Sequence, residues 1–256
     1  MVRSPVKTPR LSVVIPAVNE QAPLASLLGD IGELRAAVEI IVVDGGSTDD
    51  TRDVARRGGA RVVESERGRG RQLRTGAMHA TAPLMCFLHA DVRVPPPARR
   101  ALEAIVHAGE RGAWTFRLRI DGARRAYRAI EWSANTRSSL FALPYGDQGL
   151  VITRPRYDEV GGYPALPIME DVAIARALGR TGGITLLRAS LIVSPRRWER
   201  DGALRRSIRN AWLLARYLTG TAPDELAPKY ELHSRARDGI DRGQASGSAS
   251  GVGPEH

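Results

Sequence analysis

A mixed, mainly parallel α/β sheet flanked by helices is predicted by two features of this chain. Leu11 to Glu20 (LSVVIPAVNE) and Glu39 to Asp50 (EIIVVDGGSTDD) are apolar, β-branched runs that stop abruptly at polar loops, as buried parallel strands do on leaving a sheet. Between them, Gln21 to Leu34 carries Leu24, Leu27, Leu28, Ile31 and Leu34 at helical spacing, which makes a strand, helix, strand unit with a right-handed crossover. Both loops should open on the same side of the sheet, where such folds bind ligands beyond the carboxyl ends of their strands. Asn19, Glu20 and Asp44 fall there.

The remaining elements follow in order. Thr48 to Arg57 reads as a helix capped by Ser47 or Thr48, with Asp49, Asp50 and Asp53 suited to its positive end. Ala60 to Glu64 is a third strand and leads into the basic loop SERGRGRQLRTGAMHA, whose second half is helical in composition. Leu84 to Leu88 is a fourth apolar run ending at His89-Ala90-Asp91-Val92, and Pro95, Pro96 and Pro97 break the chain before a helix over Ala98 to Ala108. From Gly112 the pattern changes: an alternating strand from Trp114 to Ile120, a helix from Tyr127 to Leu140, and the loop PYGDQG. Met169 to Leu178 is helical, Ala189 to Val193 is a strand, and SPRRWERDG follows. The helix Ala203 to Leu218 gathers Leu204, Ile208, Ala211, Trp212, Ala215 and Leu218 on one face, with Arg205, Arg206, Arg209 and Arg216 around the rest. That face either packs on a core or lies on a membrane surface.

With 256 residues, 43% of them hydrophobic, the chain suits one domain with a tail. The expected division is a flexible segment over 1–10, one domain over 11–230 and a Gly/Ser-rich disordered tail over 235–256. Within the domain, 11–110 should bind nucleotide, 111–200 should shape the acceptor side and 201–230 should form C-terminal helices. No apolar run approaches the roughly 20 residues needed to span a bilayer, and the start MVRSPVKTPR has no signal-like segment. A cytoplasmic protein is expected, with peripheral contact at the inner membrane face as an option. A single cysteine, Cys86 in LMCFL, rules out an intramolecular disulfide and suits a buried, inert thiol. The net charge is +10, and Lys7 and Lys229 are the only lysines among 38 basic residues, the rest being arginine. Arginine favours phosphate and carboxylate ligands. No helix-turn-helix pattern or zinc-ligand spacing is present, so nucleic acid is not the expected partner.

Ile15-Pro-Ala-Val-Asn-Glu20 and Val-Val-Asp-Gly-Gly-Ser-Thr-Asp-Asp resemble the opening of the family 2 glycosyltransferases, nucleotide-sugar enzymes of the GT-A (Rossmann-like) fold. The resemblance runs from about Leu11 to Tyr230, with its motifs in the family's order. It implies an inverting transfer of a sugar from a nucleoside-diphosphate sugar to an acceptor hydroxyl, with a divalent metal, Mn or Mg. By the same resemblance Pro16, Ala17, Glu20 and Asp44 line the nucleotide, joined by Arg69 or Arg71 from the glycine-arginine run. Family members carry an Asp-x-Asp motif where this chain has His89-Ala90-Asp91, so Asp91 is the implied metal ligand and His89 a second candidate. Gly161-Gly162-Tyr163 followed by Glu170-Asp171 resembles the family's Gly-Gly-aromatic, Glu-Asp pattern, which makes Asp171 the implied base and Glu170 its support.

Asp147 and Gln148 of the GDQG loop, with Arg196, Arg197 and Trp198, are candidates to contact acceptor or diphosphate; an arginine there could stabilise the leaving group and Trp198 could stack on a sugar. These last motifs also resemble a short soluble branch of the family found beside radical-enzyme genes and linked to arsenosugar-type biosynthesis. His79, His107 and His233 have no visible partner and receive no role. Two alternatives share some of these features. Sugar-phosphate nucleotidyltransferases have a similar sheet but place their glycine-arginine loop after the first strand, whereas here it follows the third. A non-catalytic basic protein binding nucleotide or nucleic acid would have no chemical need for Asp44, Asp91 and Asp171 together.

Overall fold

The computed structural model describes residues 8–141 and 143–228. The expected disordered tail and all but residues 8–10 of the flexible N-terminus lie outside the described residues. The first half runs β1 (Leu11–Ala17), α1 (Gln21–Gly32), β2 (Val38–Asp44), α2 (Thr51–Arg57), β3 (Arg61–Glu64), α3 (Arg69–His79), β4 (Leu84–Phe87), β5 (Val92–Arg93) and α4 (Pro96–Ala108). The second runs β6 (Ala113–Ile120), α5 (Arg125–Phe141), a 3₁₀ turn (Gly146–Gln148), β7 (Leu150–Thr153), α6 (Arg154–Glu159), α7 (Glu170–Arg180), β8 (Thr185–Val193), α8 (Arg196–Asp201) and α9 (Ala203–Leu218).

One eight-stranded sheet has the order β3-β2-β1-β4-β7-β6-β8-β5. Strands β3, β2, β1 and β4 are parallel, β7 is antiparallel to both β4 and β6, and β6 and β8 are parallel. Ala17 pairs with Asp44 at the carboxyl ends of β1 and β2, so their loops do open side by side. Chain order reverses direction between β1 and β4, the switch point where doubly wound sheets form their crevice.

Successive residues of a strand face opposite sides, and β1 feeds two cores accordingly. Leu11, Val13 and Ile15 join Leu24, Leu27, Leu102 and Phe116 on one side, and Val14 joins Ile41, Leu73, Met85, Phe87 and Ile174 on the other. Cys86 is fully buried, and burial pushes its thiol up to about 12.

Two local expectations are corrected, and a third, open between two readings, is narrowed. Helix α2 starts at Thr51, not Thr48: Asp49 accepts the Thr51 N–H at 3.0 Å, while Ser47 Oγ accepts from the backbone of Asn19. Pro96 and Pro97 lie inside the first turn of α4, where a missing N–H costs nothing. Helix α9 turns most of its apolar face outward, since Ile208, Ala211, Trp212, Ala215 and Leu218 are all exposed.

Candidate active site

The site gathers at the carboxyl ends of the parallel strands, and glycines decide how closely its pieces approach. Strand β4 ends at Phe87, whose ring packs edge-on against Tyr163 at 5.0 Å between centroids and stacks on Tyr157 at 5.6 Å. Gly161 and Gly162 both take positive φ, 79° and 67°, and the Tyr163 N–H donates to the Tyr157 hydroxyl at 3.0 Å. The Gly-Gly-aromatic motif is thus an anchor that pins the segment before α7 beneath β4. Met169 then adopts φ 66° at the N-cap of α7, a left-handed conformation unusual for a side chain of that size. It aims Glu170 and Asp171 into the sheet's end.

Asp171 sits in the tightest part of the site. Its Oδ2 accepts the Gly146 N–H at 2.9 Å, and its buried Oδ1 receives no hydrogen bond among the described residues. Burial, reinforced by the neighbouring Glu170 carboxylate, raises its pKa from the ordinary 3.8 to about 7, against the lowering influence of Arg69 and the Gly146 N–H. A Cβ on residue 146 would stand 2.6 Å from Asp171 Oδ2 and nearer still to His89 Nε2. The structure therefore brings together three separated motifs: His89 after β4, Gly146 of the GDQG loop and Asp171 on α7.

Glu170 is buried and faces Arg69 Nη1 at 3.5 Å, which ties the start of α3 to the start of α7. Arg71, two residues along the same helix, pairs instead with Glu66 at the surface. Asp44, only 1% exposed, accepts the N–H groups of Gly46 and Ser47 and so shapes the loop after β2. Asn19, at φ 55°, accepts the Thr48 N–H through its side chain at 2.8 Å, and the Glu20 N–H donates to Thr51 Oγ1. Gln72, which the sequence analysis missed, donates to the carbonyls of Ala17 and Val43 and clamps α3 to the ends of β1 and β2. Its only sequence signal is one amide on the buried face of α3, beside Gly70, Leu73, Gly76 and Ala77.

Asp91 lines a cleft of about 440 Å³ with Glu20, Arg93, Asp121, Ser194 and Arg196. Asp121 and Ser194 carried no motif; they arrive there because β6 and β8 run parallel and end together. Arg196 thus joins Asp91, while the Arg197 side chain lies outside the described residues. Trp198 packs on the main core with the Arg206 guanidinium 5.8 Å from its ring centre. Gln148 departs from its expected ligand-facing role. It is fully buried, donates to the Phe116 carbonyl and accepts from Ser138 Oγ at 2.7 Å, which fixes the loop that carries Gly146 and Asp147. Among the described residues no group of three or more His, Cys, Asp or Glu side chains is arranged to hold a metal ion.

A mixed sheet with its polar groups gathered at the β1–β4 switch point is the arrangement expected of the GT-A fold, and family comparison agrees. Residues 12–160 match the model for glycosyl transferase family 2, and the chain belongs to that family. It is 40% identical over 82 residues, 32% of this chain and 36% of the relative, to an uncharacterized glycosyltransferase of Mycobacterium tuberculosis. It is 30% identical over 132 residues to the 4,4'-diaponeurosporenoate glycosyltransferase of Staphylococcus haemolyticus, 48% of this chain and 35% of the relative. The chain thus spans about a third of the length of these curated relatives. Its fold resembles a mannosyltransferase from Pyrobaculum calidifontis solved with GDP-Man and Mn2+, with a TM-score of 0.62 at 20% identity over 98% of this chain and 78% of that one. It also resembles glucosyl-3-phosphoglycerate synthase from Mycobacterium tuberculosis in complex with Mn2+ and UDP-glucose, with a TM-score of 0.53 at 24% identity over 72% and 70% of the two chains.

Proposed function

We propose that this chain transfers a sugar from a nucleoside-diphosphate sugar to an acceptor hydroxyl by a single inverting displacement, with Asp171 as general base. The observation that carries this reading is the Asp171 carboxylate, buried, held at one oxygen by Gly146 and raised to a pKa of about 7. A base poised there takes a proton near neutral pH more effectively than an ordinary carboxylate. The Asp171 carboxylate takes the acceptor hydroxyl's proton as that oxygen attacks the anomeric carbon from the face opposite the departing diphosphate, which inverts that centre. Glu170 raises the basicity of Asp171 and anchors Arg69.

The donor lies along the ends of β1, β2 and β4, against Pro16, Ala17 and Glu20 and the loop held by Asp44, with Arg69 and Arg71 at the start of α3. Arg196, at the start of α8, and Asp147, in the 3₁₀ turn, are positioned to meet the leaving group and acceptor.

The donor set fits a divalent ion, Mn or Mg, brought in with the nucleotide: Asp91 offers a hard oxygen at the cleft and His89 an imidazole, too few ligands for a protein-only cage. Bound there, the ion would neutralise charge developing on the diphosphate. The two structural neighbours were each solved with a nucleotide sugar and Mn2+, which supports a divalent ion accompanying the donor.

Thermal shift against UDP, GDP, ADP, TDP and CMP, each with Mn, Mg or EDTA, tests the donor and metal assignments. Metal-dependent stabilisation by one diphosphate is the expected result, about 2.7 kcal/mol at 100 times the dissociation constant. Absence of any nucleotide effect would overturn the reading.

A further inference from the structure

Helix α9 presents to solvent the face that a packed helix would bury. Leu213 points inward and, with Tyr217, packs on Ile168, Met169 and Leu226. The opposite side gathers Ile208, Ala211, Trp212, Ala215 and Leu218 at helical spacing, all exposed, with Ile208 at 60% and Trp212 at 44%. Helix α5, which touches α9, adds Trp132 and Leu140, 72% and 70% exposed. Exposed tryptophan and branched aliphatic side chains concentrated on adjoining helices mark an interaction surface.

We propose that α9 lies flat on an anionic lipid bilayer with this apolar face in the boundary between headgroups and acyl chains. Charge identifies the occupant. Helix α9 carries Arg205, Arg206, Arg209 and Arg216 and no acidic residue, within a chain of net charge +10. A second copy on this face would set arginine against arginine, and like charges across an interface are repulsive. Anionic lipid offers apolar depth and negative headgroups together, and tryptophan favours that depth. At 16 residues the helix is about 24 Å long, and no described helix is long and apolar enough to cross a membrane, so α9 rests on the surface.

The inward side of α9 gives this docking a functional meaning that rests on Asp171 being the base. Ile168 and Met169, on which Leu213 and Tyr217 sit, directly precede Glu170 and Asp171. The docked helix therefore packs on the two residues that lead into α7 and its carboxylate pair, and the acceptor hydroxyl is met at the bilayer surface.

Sedimentation of the full chain with vesicles tests the docking. Vesicles of mixed phosphatidylglycerol and phosphatidylcholine should carry the protein down, phosphatidylcholine alone should carry about tenfold less, and added salt should release it. The Ile208→Ser/Trp212→Ser double variant should lose about tenfold or more in vesicle binding while keeping its melting temperature and its stabilisation by nucleotide. No sedimentation with anionic vesicles would overturn the proposal, as would binding that the double variant retains in full. Self-association abolished by the double variant would assign the face to a second copy and overturn it. Vesicle binding that appears only after removal of residues 229–256 would assign it to the chain's own tail, with the same result. Nucleotide stabilisation without vesicle binding would sink the docking alone; vesicle binding without nucleotide stabilisation would sink the transferase reading alone.

Discussion

Burial separates Asp171 from a surface carboxylate, and the consequence has a sign that can be checked. Its folded pKa, about 7, lies above the ordinary 3.8, so between those values the folded chain holds a proton that the unfolded chain has released. This contribution to stability is complete below about pH 4 and is lost as pH rises through 7. Asp171→Asn, neutral at every pH, should therefore melt higher than the parent at pH 8, by about 2–4 °C per kcal/mol recovered, with the difference narrowing as pH falls below 7 and closing near pH 4. The same variant should lose transfer while keeping nucleotide stabilisation; retained turnover would remove Asp171 from its role. Gly146→Ala tests the neighbouring contact. The added methyl would meet Asp171 Oδ2 and His89 Nε2, so about 1–3 kcal/mol of stability should go, with a fall in turnover larger than any change in donor affinity. At this scale motif order marked Asp171 and His89, which the fold brings to either side of Gly146, but it misplaced Gln148. An amide in a polar loop reads as a ligand contact, and only the fold shows that it points inward to Phe116 and Ser138.

Elements are legible where one period dominates. The alternation of Trp114 to Ile120 and the buried runs of β1, β2 and β4 carry their own signal, so these strands fall where expected. The two-residue β5 and the four-residue β7 are too short for a period to show, and exist because β8 and β4 supply partners. Arg69 and Arg71 looked equivalent in a loop. Once α3 starts at Arg69 they stand two positions apart on a helix, so they diverge, one to Glu170 and the other to Glu66. Helix α3 also lies unusually close to the sheet, since a Cβ on Gly76 would sit 2.9 Å from Val43 Cγ2 and nearer still to Val14 Cγ1. Gly76→Ala should therefore push the helix outward despite alanine's better helix propensity. A loss of about 1–3 kcal/mol by denaturant unfolding is expected, together with weaker nucleotide binding as Gln72 leaves the carbonyls of Ala17 and Val43.

At the level of the whole molecule, the distribution of polar groups predicts the order of assembly. With no three-residue metal cage among the described residues, Mn alone should leave the melting temperature unchanged, whereas Mn with the matching diphosphate should raise it beyond the diphosphate in EDTA. A shift with Mn alone would mean that the protein holds the ion unaided. The sheet has a further consequence. Strand β4 belongs to the first half of the chain, but its second neighbour, β7, comes from the second half, and among the described residues β5 pairs only with β8. Residues 11–110 thus cannot stand as an autonomous module. Cut there, the chain would leave Leu84, Met85, Cys86 and Phe87 paired to β1 on one side only, a rim strand open where β7 belongs and an invitation to intermolecular pairing. A protein truncated after residue 110 should accumulate as insoluble aggregate, and a ribosome must deliver the chain through β7 before β4 is safe.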